Sequence, residues 1–232
     1  MNDIPRLSVD IWSDVMCPWC AIGYTQFAKA VDMLEGEIAV ETRWMPFELN
    51  PDLPEEGKEQ DRHLAEVYRR SPDDMAQMRD RITSTGERVG FPMKLGSTDG
   101  EPAMIWNTFA AHRLLRWVLA EHGPEAQTRL KLALLRAHFQ QRRPVGQRET
   151  LLDVAEESGF DRAAAAEALD DEALSMAVRM EEKRGLEAGI NSVPSFVIAG
   201  QYLVPGAREP EAFADMLRRA LALSTGAESA PA

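Results

Sequence analysis

Cys17 and Cys20 are the only thiols among the 232 residues, and they stand three apart. Two thiols at this spacing on a helix lie about one turn from each other, close enough to make and break a disulfide. Only a thiolate attacks a disulfide sulfur, so the question is what in the fold stabilises S⁻. Cys17 stands where an alternating segment ends and a helical one begins. Unpaired backbone N–H groups and the positive end of a helix dipole therefore face its sulfur. Pro18 has no N–H and a preset φ, which suits a first helical turn. Cys20 follows one turn on as the resolving thiol. On this reading Cys17 is exposed and Cys20 buried. The uncharged Pro18–Trp19 pair leaves the helix end and the surroundings to set the pKa. Trp19 is a flat group beside the attacking sulfur, which either faces substrate or packs under neighbouring helices.

Other chemistries fit less well. A structural zinc site needs four ligands. No second cysteine pair exists, and His63, His112, His122 and His138 never fall at the spacing of a ligand pair, so no metal is expected. Two thiols cannot staple a small secreted domain. The formal net charge is −12, from 26 Lys plus Arg against 38 Asp plus Glu, and a field of that sign repels nucleic acid. With 44% apolar and 28% charged residues the composition is that of a globular protein. There is no apolar run of membrane-spanning length, and Met1 to Ile11 has neither a basic nor an apolar leader segment. The expected setting is the cytoplasm.

The elements that would hold the thiols read from periodicity. Leu7 to Trp12 alternates as a strand, and a helix with Ile22, Phe27, Ala30, Val31 and Leu34 on one face follows the CPWC segment to a stop at Gly36. Ile38 to Met45 alternates again. This is a βαβ unit. From Asp52 to about Asn191 the period is helical: Ser71-Pro72-Asp73-Asp74 is a helix start, and further helices are expected at Met104 to Glu121, from Pro124, at Glu149 to Glu157, at Asp161 to Leu169 and from Asp171 to about Ala188. Period two returns at Ser195 to Ile198 and Tyr202 to Val204, joined by a tight hairpin, and Pro210 opens a last helix. A small-residue tail begins at Ser224. Neither flanking half has a full core alone, so the economical α/β topology joins them into one sheet, with residues 52–189 inserted as an all-helical block between residues 1–51 and 190–232. Pro194 enters the second half, and taken by itself its bond to Val193 is expected trans.

Trp12-Ser13-Asp14-Val15-Met16-Cys17-Pro18-Trp19-Cys20, together with Asn191-Ser192-Val193-Pro194-Ser195-Phe196, resembles the DsbA family of the thioredoxin superfamily. More narrowly, with Asn107-Thr108-Phe109-Ala110-Ala111-His112-Arg113-Leu114, it is similar to the FrnE-like cytoplasmic dithiol-disulfide oxidoreductases. The likeness runs over about residues 5 to 223. It implies a thioredoxin-like fold with a helical insertion, a cis Pro194 against the cysteines, and a Val193 backbone that pairs with a bound substrate. It also implies a redox-active Cys17–Cys20 disulfide with no bound cofactor. Kappa-class glutathione transferases and 2-hydroxychromene-2-carboxylate isomerases resemble the same layout but usually carry serine at the Cys17 position and lack the second thiol. From that side come glutathione as a candidate partner and Arg208 as a candidate anchor for its carboxylate.

The candidate substrate-binding set is therefore Pro18, Trp19, Val193, Pro194, Asn107, His112 and Arg208, around catalytic Cys17 and Cys20. For Asn107 and His112 the other reading is helix packing, and for Arg208 an exposed surface arginine. Asp14 reads as a loop cap rather than a proton acceptor, since a carboxylate there would raise the thiol pKa. The expected activity is thiol–disulfide exchange on a protein or small thiol, as oxidase, reductase or isomerase. The alternatives are a glutathione-dependent isomerase or transferase and a peptide-binding chaperone. No heptad run decides between monomer and homodimer.

Overall fold

The computed structural model describes residues 4–68, 71–97 and 100–224. The tail after Ser224 lies outside them. β1 (Arg6–Ser13), α1 (Pro18–Met33) and β2 (Ala39–Pro46) form the opening βαβ unit, with β1 and β2 parallel from Arg6↔Ala39 to Ser13↔Pro46. Next come β3 (Lys58–Glu59), α2 (Gln60–Tyr68), α3 (Pro72–Val89), β4 (Met104–Ile105), α4 (Phe109–Phe139), α5 (Arg148–Glu157), α6 (Arg162–Asp170) and α7 (Glu172–Glu187). β5 (Ser195–Ile198), β6 (Tyr202–Pro205) and α8 (Pro210–Ser224) close the chain. The main sheet has the order β2-β1-β5-β6, and β1 carries β5 antiparallel on the side away from β2. The two halves thus share one sheet, a thioredoxin-like fold with helices inserted between β2 and β5.

The intervening segment is helical except for the two-residue antiparallel ladder of β3 with β4. This corrects the helix expected from Met104. The helix begins at Phe109 because Asn107 ends the preceding stretch: its Oδ1 accepts from the Phe109 N–H at 3.0 Å, and its Nδ2 donates to Leu53 O at 3.1 Å. α4 itself is broken at Gly123 (φ 82°), so Pro124 starts a second helical segment, as its type favours. α3 starts on a capping box in which Ser71 Oγ accepts from the Asp74 N–H at 3.1 Å. No described helix is long and apolar enough to cross a membrane.

Two cores meet at the sheet. One packs α1 and α8 on the strands through Phe27, Phe196 and Phe213, whose rings lie 4.7–5.5 Å apart. The other joins α4, α5 and α6 through Leu114, Val118, Leu130, Leu134, Leu151 and Ala165. β2 is an edge strand, and α4 covers it. Gln127 Oε1 accepts from the Trp44 N–H at 2.8 Å, its Nε2 donates to Trp44 O at 2.8 Å, and Trp44 Nε1 donates to Thr128 Oγ1 at 3.0 Å. One buried amide side chain therefore satisfies both free backbone groups of Trp44, as a neighbouring strand would.

Candidate active site

Cys17 is the N-cap residue of α1, in an extended conformation (φ −90°, ψ 112°), with Pro18 as the first helical residue. The turn before it is held by Asp14. Its Oδ1 accepts from the Met16 N–H at 3.2 Å and its Oδ2 from the Leu49 N–H at 2.8 Å, so the loop-capping reading holds and the carboxylate also ties β1's end to the segment after β2. Asp14 is 1% exposed. Burial works to raise its pKa; the nearby His112, the Leu49 amide and Lys131 outweigh it and leave the carboxyl low.

The thiols are unbridged, and both are buried, Cys17 at 4% and Cys20 at 1% exposure. The expected exposure of Cys17 is thus corrected. The reason is the loop before β5, which folds over the helix start. The Val193–Pro194 bond is cis, and the Cys17 thiol donates to Val193 O at 3.6 Å. α1 has a glycine where the loop approaches it: a Cβ on Gly23 would meet Pro194 Cγ at 2.9 Å and Ala207 Cβ at 3.4 Å. The Gly206 N–H donates to Pro194 O at 2.8 Å and binds the two loops together.

The charge also sits differently from the sequence expectation. The hydrogen bond that Cys17 shares with Cys20, then burial, the Cys20 charge and Asp14 hold the Cys17 thiol well above the ordinary range. At Cys20 burial opposes the thiolate, but the Cys17 hydrogen bond, the charge of Lys131 and the Ser13 hydroxyl outweigh it and lower the pKa. In this closed state the inner thiol is the more acidic of the two, and the outer one points its proton at Val193 O. The helix end alone would favour the outer sulfur; the hydrogen bond between the thiols, and after it the charge of buried Lys131, favours the inner one.

The other candidates separate into two groups. Pro18 and Trp19 are half-buried beside the thiols, Val193 is half-buried and Pro194 buried. Trp19 packs with Ile22 and Val89, and it also lines a groove of ≈430 Å³ with Arg81, Arg88, Arg208 and Glu209. Arg208 is exposed there. Among the described residues neither Arg208 nor Arg81 has a side-chain ion pair, whereas Arg88 lies 3.7 Å from Glu209. A larger cavity of ≈540 Å³, lined by Trp106, His138 and Arg142 among others, contains none of the CPWC residues. Asn107 is not brought to the thiols; its amide is engaged in the start of α4. His112 is 2% exposed and lies beneath the site, with Nε2 3.8 Å from Asp14 Oδ1. Among the described residues no cluster of His, Cys, Asp and Glu has the makings of a metal site.

Lys131 and Gln127 are the residues that the sequence reading missed. A signal existed. Gln127, Leu130, Lys131, Leu134, Leu135 and His138 recur at the spacing of one buried helix face, so three polar side chains interrupt an apolar stripe.

The DSBA-like thioredoxin domain model matches residues 8–218. The chain belongs to the DSBA-like thioredoxin family. The probable DsbA oxidoreductase of Streptomyces coelicolor is 27% identical, superimposes with a TM-score of 0.82, and the match covers 97% of this chain and 92% of that one. An uncharacterized protein of Bacillus subtilis, YwbO, is 28% identical over 207 residues, 88% of this chain and 92% of its own length. The cytosolic disulfide reductase DsbM of Pseudomonas aeruginosa, solved with GSH, shares the fold at 17% identity and a TM-score of 0.58, over 95% of this chain and 98% of that one.

Proposed function

We propose that this DsbA-like oxidoreductase fold acts as a cytoplasmic thiol–disulfide oxidoreductase through the Cys17–Cys20 dithiol. The observation that carries the reading is two thiols in the first turn of one helix, with the Val193 backbone against the outer sulfur. A substrate backbone or thiol docking on Val193 would take over the carbonyl that now holds the Cys17 proton and would open the sulfur. Cys17 thiolate then attacks a substrate disulfide. A Cys17–substrate S–S bond forms, the substrate's own S–S bond breaks, and the electron pair leaves on the second substrate sulfur, which takes a proton. Cys20 thiolate attacks Cys17 Sγ, the mixed disulfide breaks, and the first substrate sulfur leaves as a thiolate and is protonated. The substrate gains two electrons and the enzyme ends as a Cys17–Cys20 disulfide, with no metal or bound cofactor in any step. A small thiol returns the enzyme to the reduced state. In a reducing compartment this cycle runs as a reductase or isomerase. Residues 1–51 and 190–232 serve as the exchange module and residues 52–189 as its cover.

The substrate class that the groove favours is a small anionic thiol or disulfide, glutathione among them. In a chain of net charge −12, Arg81 and Arg208 line the groove with Trp19, and among the described residues neither has an ion-pair partner. Arginine suits carboxylate recognition. The test is reduction of insulin and of glutathione disulfide. Cys17→Ser is expected to abolish both reactions. A Cys17→Ser protein with full activity would refute the dithiol cycle. Cys20→Ala separates the neighbouring reading: a glutathione transferase or isomerase would keep its activity without Cys20, and a dithiol enzyme loses turnover.

A further inference from the structure

Lysine is almost never fully buried unless it is paired. Lys131 is 0% exposed, inside the buried face of α4. Its Nζ donates to Ser13 O at 3.3 Å and lies 5.2 Å from the centre of the Trp44 ring. Ser13, the last residue of β1, and Lys131 both favour the thiolate form of Cys20. The charged groups acting on Lys131 are Cys20 and Cys17 on α1 and Asp14 in the turn before it; burial outweighs them and brings its pKa down to about 8.

Beside the ammonium is a cavity of ≈10 Å³, about the room one water needs. Lys131, His112, Arg116, Glu181 and Trp44 line it. His112 Nε2 is buried without a hydrogen-bond partner. Arg116 and Glu181 pair at 2.9 Å with side chains 29% and 11% exposed, and so reach from the cavity toward solvent.

We propose that Lys131 is the positioning residue for Cys20, a buried ammonium that keeps the inner thiol as a thiolate ready to attack Cys17 Sγ. The proposal rests on the dithiol reading above. In the resolving step Cys20, its proton already lost to solvent, bonds through Sγ to Cys17 Sγ, the Cys17–substrate bond breaks, and its electron pair leaves on the substrate thiolate, while Lys131 keeps its proton throughout. The groups around Lys131 are Cys20 of α1, the N-cap Cys17, Asp14, Trp44 of β2, His112 and Arg116 of α4 and Glu181 of α7, the last paired with Arg116.

Dithiobis(nitrobenzoate) tests this in the reduced full chain, because it releases one coloured thiolate when Cys17 attacks and a second when Cys20 resolves. Stopped-flow absorbance across pH separates the two phases. With Lys131→Met the second phase is expected to slow about tenfold at neutral pH, the equivalent of about one unit on the Cys20 thiol, with the first phase nearly unchanged. Lys131→Arg keeps the charge and should recover most of that rate. Equal second phases in the wild type and Lys131→Met, or equal slowing of both phases, would overturn the proposal. Should Lys131→Met not fold, Cys17→Ser decides, since its Cys20 thiolate absorbance must appear below the ~8.5 of a free thiol. A midpoint at or above that value overturns the proposal. A wild type that releases only one coloured thiolate overturns the dithiol reading itself.

Discussion

The core under α1 and α8 and the core under α4 contact the same sheet with opposite chemistry. The first is aromatic and aliphatic: Phe27 of α1, Phe196 of β5 and Phe213 of α8 pack together the elements that follow Cys17 and Pro194. The second buries Gln127, Lys131 and His112 in the midst of its leucines. Burying polar groups costs free energy unless they are partnered; on the first side the buried Gln26 donates to Glu209 at 2.7 Å, and on the second a charged lysine is buried outright. The apolar side packs the elements that flank the thiols, and the polar side contributes a buried lysine whose charge favours the Cys20 thiolate. In this molecule the inserted helices therefore do more than cover the sheet.

That contrast can be broken at several points. The largest effect is expected on the apolar side. Phe213→Ala empties a fully buried ring position and should cost about 3–5 kcal/mol in denaturant unfolding. The pH midpoint of thiol alkylation should stay where it is; a large shift would mean that the apolar core also tunes the sulfurs. On the polar side, Gln127→Leu leaves the buried Trp44 N–H and C=O without partners, at a cost of about 1–3 kcal/mol. Hydrogen exchange should accelerate at the Trp44 amide first. An unchanged rate there would show that α4 is not what protects the β2 edge.

His138 gives a pH-dependent test. Burial lowers its pKa to about 4 from 6.5. The imidazole stays neutral in the fold while the unfolded chain protonates it, so this group's share of stability is complete above pH 6.5 and fades as pH falls toward 4. His138→Phe should remove about 3 kcal/mol of that acid-side loss of stability. An identical slope in the variant would place the acid sensitivity elsewhere. The smallest effect is at the groove. Arg208→Ala is expected to raise KM for glutathione disulfide a few-fold with kcat unchanged, and to leave a neutral aryl disulfide unaffected. A fall in kcat would put Arg208 in the chemistry rather than in binding.

Much of the fold was legible in the sequence because alternation, turn residues and helix caps act locally. The strand at Leu7 to Trp12, the hairpin around Ala199 and Gly200, and the Asp161 and Asp171 helix caps all stand within a residue or two of where periodicity and capping put them. Two contacts across long separations were not. Asn107 stands in a helical-looking run, and only its bond to Leu53 O explains why the helix waits until Phe109. Cys17 looks exposed from its place at a helix start, and it is the Val193 loop, 176 residues later, that buries it. Lys131 is intermediate: a lysine on an apolar stripe was visible in the sequence, whereas Cys20 is brought within reach of its charge only by the fold.

The most direct measurement of the central claim is mass spectrometry of Cys20→Ala after mixing with glutathione disulfide and acid quenching. The account predicts a stable mixed disulfide on Cys17, formed faster as pH rises, with no release of the second thiol. A Cys20→Ala protein that forms no adduct, while the wild type still reduces the disulfide, would contradict it.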